Sequence, residues 1–310
     1  MKFMSGKIID GVAHAAAIRK DLFEMVKLRK EHYANKRHIA IDEKSGNEVF
    51  NKQKVNHSLP PHLAVVLVGD DPASLVYIKN KQRACEEIGI DFSLHTLPKT
   101  ATQDDVIKTV DKLNKDETVH GILVQQPFPS HISKHEVVLS VATEKDVDCL
   151  HPHNLGLVAM GQARVLPCTP SGVVNLLKRE SINIAGKHAV IVGRSDIVGK
   201  PLAFMLLAEN ATVTICHSRT QNLSEICKQA DILVAAIGQP KFITDGHVKE
   251  GAVVIDVGIN RVNDKLCGDV DFEKIIGKAS YITPVPGGVG PMTIATLMQN
   301  CVRAWETLNV

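Results

Sequence analysis

A chain of 310 residues has the length of roughly two domains of about 150 residues each. Hydrophobic residues make up 44 % and charged residues 23 %, a globular composition that excludes disorder as the dominant state. Lys and Arg number 36 against 34 Asp and Glu, a net charge of +2, and aromatics are 4 %; without a single-sign field or a base-stacking surface, small molecules rather than nucleic acid are the expected partners.

Apolar runs alternate with helix-period segments along the chain. A helix is expected over about 13–32. Residues 63–68 (LAVVLV) read as a buried strand ended by Gly69. Asp71-Pro72 then reads as N-cap and first helical residue, and Gly89 as the stop. A strand over 92–97 follows. Thr102 and Asp105 open a second helix as a capping box with Asp in place of Glu. Residues 121–124 (GILV) form a third strand, and 137–141 belong to another helix. This βαβα order implies a parallel sheet covered on both faces.

The pattern restarts after a transition at 146–161. Thr169-Pro170 is expected to cap a helix running to about 178. Strands follow at 188–192, 212–216, 232–236 and 252–257, with helices at 201–207 and 223–229. Residues 281–285 are extended, and Pro291 opens a long last helix. The expected fold is thus α/β with two lobes: an N-terminal α/β lobe and a C-terminal Rossmann-like lobe, with a cleft between. Residues 1–149 plus the last helix at 291–310 make the first, and 150–290 the second. The stretch at 33–61 is an insertion whose residues 39–50 can form a small hairpin.

Seven cysteines, odd in number and without a C-x-x-C pair, read as reduced thiols of a cytoplasmic protein. His131 with His135, and His151 with His153, lack the companion ligands of a metal site, and no metal is expected. No run reaches the ~18 apolar residues of a membrane span, and the N-terminus lacks a secretory core.

The segment 191–199 (IVGRSDIVG) joins a strand to a helix. It resembles G-x-G-x-x-G with Ser195 at the middle position; Gly193 permits the tight turn, and the helix N-terminus offers N–H groups to a phosphate. About 24 residues on, where NAD-binding folds carry an acid for the ribose hydroxyls, stand Cys216, His217, Ser218 and Arg219. A hydroxyl and a guanidinium suit a 2′-phosphate, and Arg194 adds a second cation, so NADP is expected. The alternative is that Ser218 and Arg219 only solvate the strand end.

In the first lobe, Tyr77 and Lys81 lie one turn apart on a stripe continued by Ala84, Cys85 and Ile88. Lys81 is either a partly desolvated base or a lysine snorkelling from the stripe's edge. Gln125 falls just beyond the 121–124 strand, and Asp148 follows Glu144-Lys145-Asp146-Val147. Ligands of open α/β sheets bind at the carboxyl ends of strands. The loop 284–291 (PVPGGVGP) is stiff and allows close approach to a flat ligand, or is only a connector.

Together VYIKNKQRACEEIGI, GILVQQPFP, EKDVDC, LPCTPSGVV, VGRSDIVGKP, ATVTICHSRT and TPVPGGVGPMT resemble the bifunctional methylenetetrahydrofolate dehydrogenase/methenyltetrahydrofolate cyclohydrolase (FolD) family. The resemblance implies that Lys81 is the acid/base of the cyclohydrolase step. It implies that Tyr77 stacks near the pterin, Gln125 tunes Lys81, and Asp148 anchors the pterin ring. Gly193, Arg194, Ser195, Ile197, Ser218 and Ile259 would contact NADP. Pro286, Gly287 and Gly288 would line the folate side. A homodimer paired through the nucleotide lobe is implied, as is a place in one-carbon metabolism and purine biosynthesis. Cys149 departs from the family, which usually has Gly there, and Ser171 stands where many members have Lys. The expected activity is oxidation of 5,10-methylenetetrahydrofolate with NADP+, then hydrolysis of the methenyl product to 10-formyltetrahydrofolate. The alternatives are a dehydrogenase-only member or a two-lobe NADP dehydrogenase of shikimate-dehydrogenase type.

Overall fold

A computed structural model describes residues 6–36 and 59–308. The proposed hairpin at 39–50, and most of the insertion around it, lies outside the described residues. Contacts divide the described chain into two units, one of residues 18–36, 59–152 and 297–308, the other of residues 6–17 and 153–296. The first described elements are β1 (Lys7–Ile8) and α1 (Gly11–Lys36).

The first unit is built on β2 (His62–Val68), α2 (Pro72–Ile88), β3 (Asp91–Leu97), α3 (Gln103–Lys115), β4 (Gly121–Val124) and α4 (Lys134–Ser140). Its sheet is parallel in the order β3-β2-β4. Residues 63–68 of the central strand are all buried, as a strand covered on both faces must be. Alternate residues share a face. Ala64, Val66 and Val68 accordingly join cores with Val106, Val110 and Leu113 of α3. Burying each Val or Leu contributes about 1.5–3 kcal/mol, so β2 tolerates polar substitution least.

Local chemistry sets the helix ends where the sequence places them. The Asp71 carboxylate accepts the Ser74 N–H at 2.8 Å with Pro72 at the first position, and Gly89 ends α2 at φ 81°. Thr102 and Asp105 close a reciprocal capping box on α3.

The second unit holds α5 (Pro152–Ala159, from its second residue), α6 (Cys168–Arg179), β5 (His188–Val192), α7 (Gly199–Ala208), β6 (Thr212–Cys216), α8 (Leu223–Cys227), β7 (Ile232–Ala235) and β8 (Val253–Asp256). A hairpin of β9 (Asn260–Val262) and β10 (Lys265–Cys267), α9 (Phe272–Ile275), β11 (Tyr281–Ile282) and the start of α10 (Val289–Leu308) complete it. The six-stranded sheet is parallel throughout, in the order β1-β11-β8-β7-β5-β6. The chain leaves β5 for β6 on one side and returns to β7 on the other, so the order reverses at β5. The crevice at the carboxyl end of such a reversal is where open α/β sheets bind ligands.

Three boundaries differ from the sequence reading, the first being that the division falls after residue 152 rather than 149. Residues 6–17 group with the six-stranded sheet, because β1 pairs with β11. The last helix opens at Val289, two residues before Pro291, and only residues 297–308 group with the first unit. There the Cys85 thiol meets the Met298 sulfur at 3.4 Å, Asn300 donates to the Val147 carbonyl at 2.9 Å, and Trp305 Nε1 donates to the Leu59 carbonyl at 3.0 Å. Thr169 is not the cap of α6, which begins at Cys168; its hydroxyl instead pairs with that of Thr293 at 3.0 Å.

Candidate active site

In the first unit, Lys81 Nζ donates to Gln125 Oε1 at 2.7 Å. α2 carries the lysine and the turn after β4 carries the glutamine. That turn is fixed by the Gln125 N–H on the Val66 carbonyl (2.8 Å), by the Gln125 side-chain amide on the Gln126 carbonyl (2.6 Å), and contains a cis Gln126–Pro127 bond. The amine is half-buried. The Gln125 carbonyl oxygen accepts from the amine and orients it. Such an amine can take and return a proton.

Tyr77 stands one turn before Lys81 and is 39 % exposed. The inward stripe therefore holds for Ala84, Cys85 and Ile88, joined by Ser74 and Ile78, but not for Tyr77. An exposed ring beside the lysine is free to stack on a flat ligand.

Asp148 reaches the same end of the sheet by another route. Ile122 of β4 bridges Asp146 in the parallel sense, so the following residues run toward the end that bears Gln125. The buried Asp146 carboxylate accepts the N–H groups of Leu150 (3.2 Å) and His151 (2.9 Å), closing a loop around Asp148. Sequence reasoning missed this role of Asp146; the only signal was an acid two residues before the proposed ligand. Cys149 sits in that loop at φ 58°, a region that favours glycine, with its side chain fully buried. Burial pushes the Cys149 thiol well above its ordinary range, and the Cys85 thiol up to about 12, so neither is a nucleophile.

In the second unit, the proposed nucleotide residues all lie at the carboxyl edge of one parallel sheet. Gly193 follows β5, Ser218 and Arg219 follow β6, and Ile259 follows β8; the residues expected on the folate side, 286–288, follow β11 at the same edge. Gly193 has φ 137°, and a Cβ there would overlap the Ala236 carbonyl oxygen. A Cβ at Gly199 would overlap the Gly193 carbonyl. Both ends of the motif thus need glycine for close backbone approach. The middle position works differently. The Ser195 hydroxyl accepts the Val198 N–H at 3.2 Å and the Gly199 N–H at 3.5 Å, so donors expected to face a phosphate are already engaged. The hydroxyl hydrogen remains as the donor this turn presents.

Ser218 and Arg219 form the exposed tip of a locked turn. Thr220 Oγ1 accepts the His217 N–H at 2.8 Å, and His217 Nδ1 accepts the Arg219 N–H at 3.1 Å. Arg194 and Ile197 are exposed nearby in sequence to Gly193, and among the described residues neither Arg194 nor Arg219 has an ion-pair partner. A glycine cradle with two free guanidiniums fits a phosphorylated dinucleotide. The 284–288 loop has a cis Val285–Pro286 bond and Gly287 at φ 104°. A Cβ at Gly288 would meet the Pro284 oxygen at 2.6 Å, so the loop is tightly turned.

The sequence matches two family models: the catalytic domain of tetrahydrofolate dehydrogenase/cyclohydrolase over residues 9–148, and its NAD(P)-binding domain over residues 167–309. The bifunctional protein FolD of Halalkalibacterium halodurans is 50 % identical over 97 % of this chain and 99 % of its own. That of Acetivibrio thermocellus is 55 % identical over 85 % and 92 %. Among solved structures, the bifunctional FolD of Campylobacter jejuni superposes with a TM-score of 0.88 at 43 % identity, covering 98 % and 99 % of the two chains. The Trypanosoma brucei FolD, solved with NADP and an inhibitor, gives 0.88 at 36 % identity, covering 98 % of each. With both family domains matched in order, and the amine–amide pair and glycine cradle in place, the chain belongs to the tetrahydrofolate dehydrogenase/cyclohydrolase family.

Proposed function

We propose that this chain oxidises 5,10-methylenetetrahydrofolate to the 5,10-methenyl form with NADP+ and then hydrolyses that product to 10-formyltetrahydrofolate. The observation that carries the reading is the 2.7 Å contact between Lys81 Nζ and Gln125 Oε1 at the carboxyl end of a parallel sheet. NADP+, when bound, supplies the acceptor for the hydride that leaves the methylene carbon. The first step asks the protein for orientation and exclusion of water. Tyr77 offers a stacking face for the pterin and Asp148 a carboxylate for its ring N–H groups. The second step asks for proton transfer. As water adds to the methenyl carbon, Lys81 takes one proton from it and passes that proton to the ring nitrogen; the bond from carbon to that nitrogen then breaks, the added hydroxyl becomes the formyl carbonyl and its proton leaves to solvent, while Gln125 keeps the amine aimed.

NADP rather than NAD is supported by Ser218, Arg219 and Arg194, and by the absence of an acid at residues 216–220. A homodimer through the six-stranded unit is supported by its exposed apolar side chains at Phe204, Leu207 and Ile215. A cytoplasmic location, with the formyl product feeding purine biosynthesis, fits seven cysteines of which none forms a disulfide. Among the described residues no helix is long and apolar enough to cross a membrane.

The test is one coupled assay of methylenetetrahydrofolate with NADP+ or NAD+, following the methenyl and formyl products separately. Lys81→Met is expected to abolish formyl production while leaving measurable NADPH formation. Equal loss of both with nucleotide binding intact overturns the acid/base role, and faster turnover with NAD+ overturns the cofactor assignment.

A further inference from the structure

Two buried aspartates tie together the loops that follow β7 and β8. Asp256, the last residue of β8, is 3 % exposed, and Asp269, beyond β10, is fully buried. Among the described residues neither has an ion-pair partner; hydrogen-bond donors hold both. Asp256 Oδ1 accepts the N–H groups of Gly258 and Asp269, and Oδ2 that of Val270, each at 2.9 Å. Asp269 Oδ2 accepts the N–H groups of Ile237 (2.6 Å) and Gly238 (2.9 Å). Its Oδ1 accepts the Gln239 N–H and the Asn260 side-chain amide, both at 2.9 Å. Glycine lets the backbone close over each carboxylate: a Cβ at Gly258 would overlap the Asp269 carboxyl, and one at Gly268 that of Asp256.

These bonds converge on the nucleotide edge. Ile259 is the exposed member of the 256–260 stretch, and its two neighbours, Gly258 and Asn260, are gripped by Asp256 and Asp269. The 237–239 turn is gripped by Asp269 through three consecutive N–H groups. It directly follows Ala236, whose carbonyl forbids a side chain at Gly193. Burying two carboxylates without a cation is costly, and an apolar filling would serve if packing were all that was required. What carboxylates add is acceptors that fix N–H groups in one arrangement before a ligand arrives.

We propose that Asp269, supported by Asp256, is a positioning residue for the dinucleotide. It holds Ile259 and the 237–239 turn in the arrangement against which NADP+ binds. The inference rests on the reading that this edge binds NADP+. Asp269→Asn keeps the shape but turns an acceptor into a donor that opposes the N–H groups it faced. Two measurements separate positioning from folding: the Kd of NADP+ by calorimetry, and cyclohydrolase turnover on methenyltetrahydrofolate alone, which uses no nucleotide. For Asp269→Asn the Kd and KM of NADP+ are expected to rise about tenfold or more, with cyclohydrolase turnover within about twofold of wild type. Asn260→Ala removes one donor and is expected to raise the Kd about threefold. Unchanged NADP+ affinity in both variants overturns the proposal, as does a parallel fall of both activities in Asn260→Ala. Failure of the wild-type protein to bind NADP+ overturns instead the cofactor reading on which it stands.

Discussion

Cys149 holds a left-handed backbone, φ 58°, with a fully buried side chain, in the loop that presents Asp148. Two effects of similar size oppose each other there. A side chain in this region costs about 1 kcal/mol relative to glycine, while burying a small thiol-bearing side chain returns about the same. Cys149→Gly is therefore expected to lie within about 1 kcal/mol of wild type in urea unfolding. Cys149→Val adds a β-branched group where none is tolerated and is expected to lose more than about 2 kcal/mol. Equal stability of the two variants would show that backbone conformation does not govern this position. Asp256 carries a second consequence: burial pushes its carboxyl up to about 6, helped by the Asp269 charge and opposed by three N–H donors. The folded state then holds a proton that the unfolded chain releases above about pH 4, so stability falls as pH rises between about 4 and 6. Asp256→Asn is expected to flatten that fall in thermal unfolding, and an unchanged slope would assign it elsewhere.

At the scale of elements, legibility followed the range of the interactions. The ends of α2 and α3 were readable because Asp71, Pro72, Gly89, Thr102 and Asp105 act within a few residues of themselves. β1 was not, because a two-residue strand gains its identity only from β11 at the far end of the chain. The β9–β10 hairpin did leave a signal. Asn263 and Asp264 both take positive φ, 48° and 60°, as a two-residue turn between twisted strands requires, but the pair lacks the glycine that makes such turns conspicuous. Of the candidate site, the glycine turn at 193–199 was legible from spacing and residue type, whereas spacing left Lys81 open between base and snorkelling lysine, and its pairing with Gln125 came only from the family resemblance. Asp256 and Asp269 were not legible, since a strand-end acid looks the same whether solvated or enclosed. The amino ends of β2 and β4 supply a prediction of their own. His62 N–H donates to His120 Nδ1 at 3.1 Å, and burial, then the neighbouring His62 and Lys145, push the His120 imidazole down to about 4. The unfolded chain takes up this proton below about pH 6.5 and the folded chain only near 4. The stability from the neutral ring is thus present above pH 6.5 and lost as pH falls, by roughly 3 kcal/mol at most. His120→Asn keeps an acceptor for the His62 N–H and is expected to shrink the loss in Tm between pH 7 and pH 4.5; an equal loss would remove His120 as its source.

At the scale of the whole molecule, a net charge of +2 gives no field to drive association, so the proposed homodimer would rest on apolar surface. The six-stranded sheet ends in β6 as an open edge, and α7 packs beside it. Phe204 and Leu207 of α7 are 44 % and 60 % exposed, and Ile215 of β6 is 38 % exposed. An edge strand flanked by uncovered apolar side chains invites pairing with a second copy. In a two-fold dimer each such residue is buried twice. Leu207→Asp removes two apolar contacts of about 1.5–3 kcal/mol each and buries two carboxylates, which weakens association by roughly a thousandfold or more. Because Leu207 is exposed in the single chain, the same change is expected to cost that chain no more than about 0.5 kcal/mol. Sedimentation at micromolar concentration should therefore show a dimer for the wild type and a monomer with an unaltered thermal transition for Leu207→Asp. A wild-type monomer, or a variant that stays dimeric, would place the contact elsewhere or remove it. If the monomer still binds NADP+ with wild-type affinity, pairing and the cradle are independent, because Gly193, Ser218 and Ile259 are positioned by their own unit's strand ends rather than by a partner.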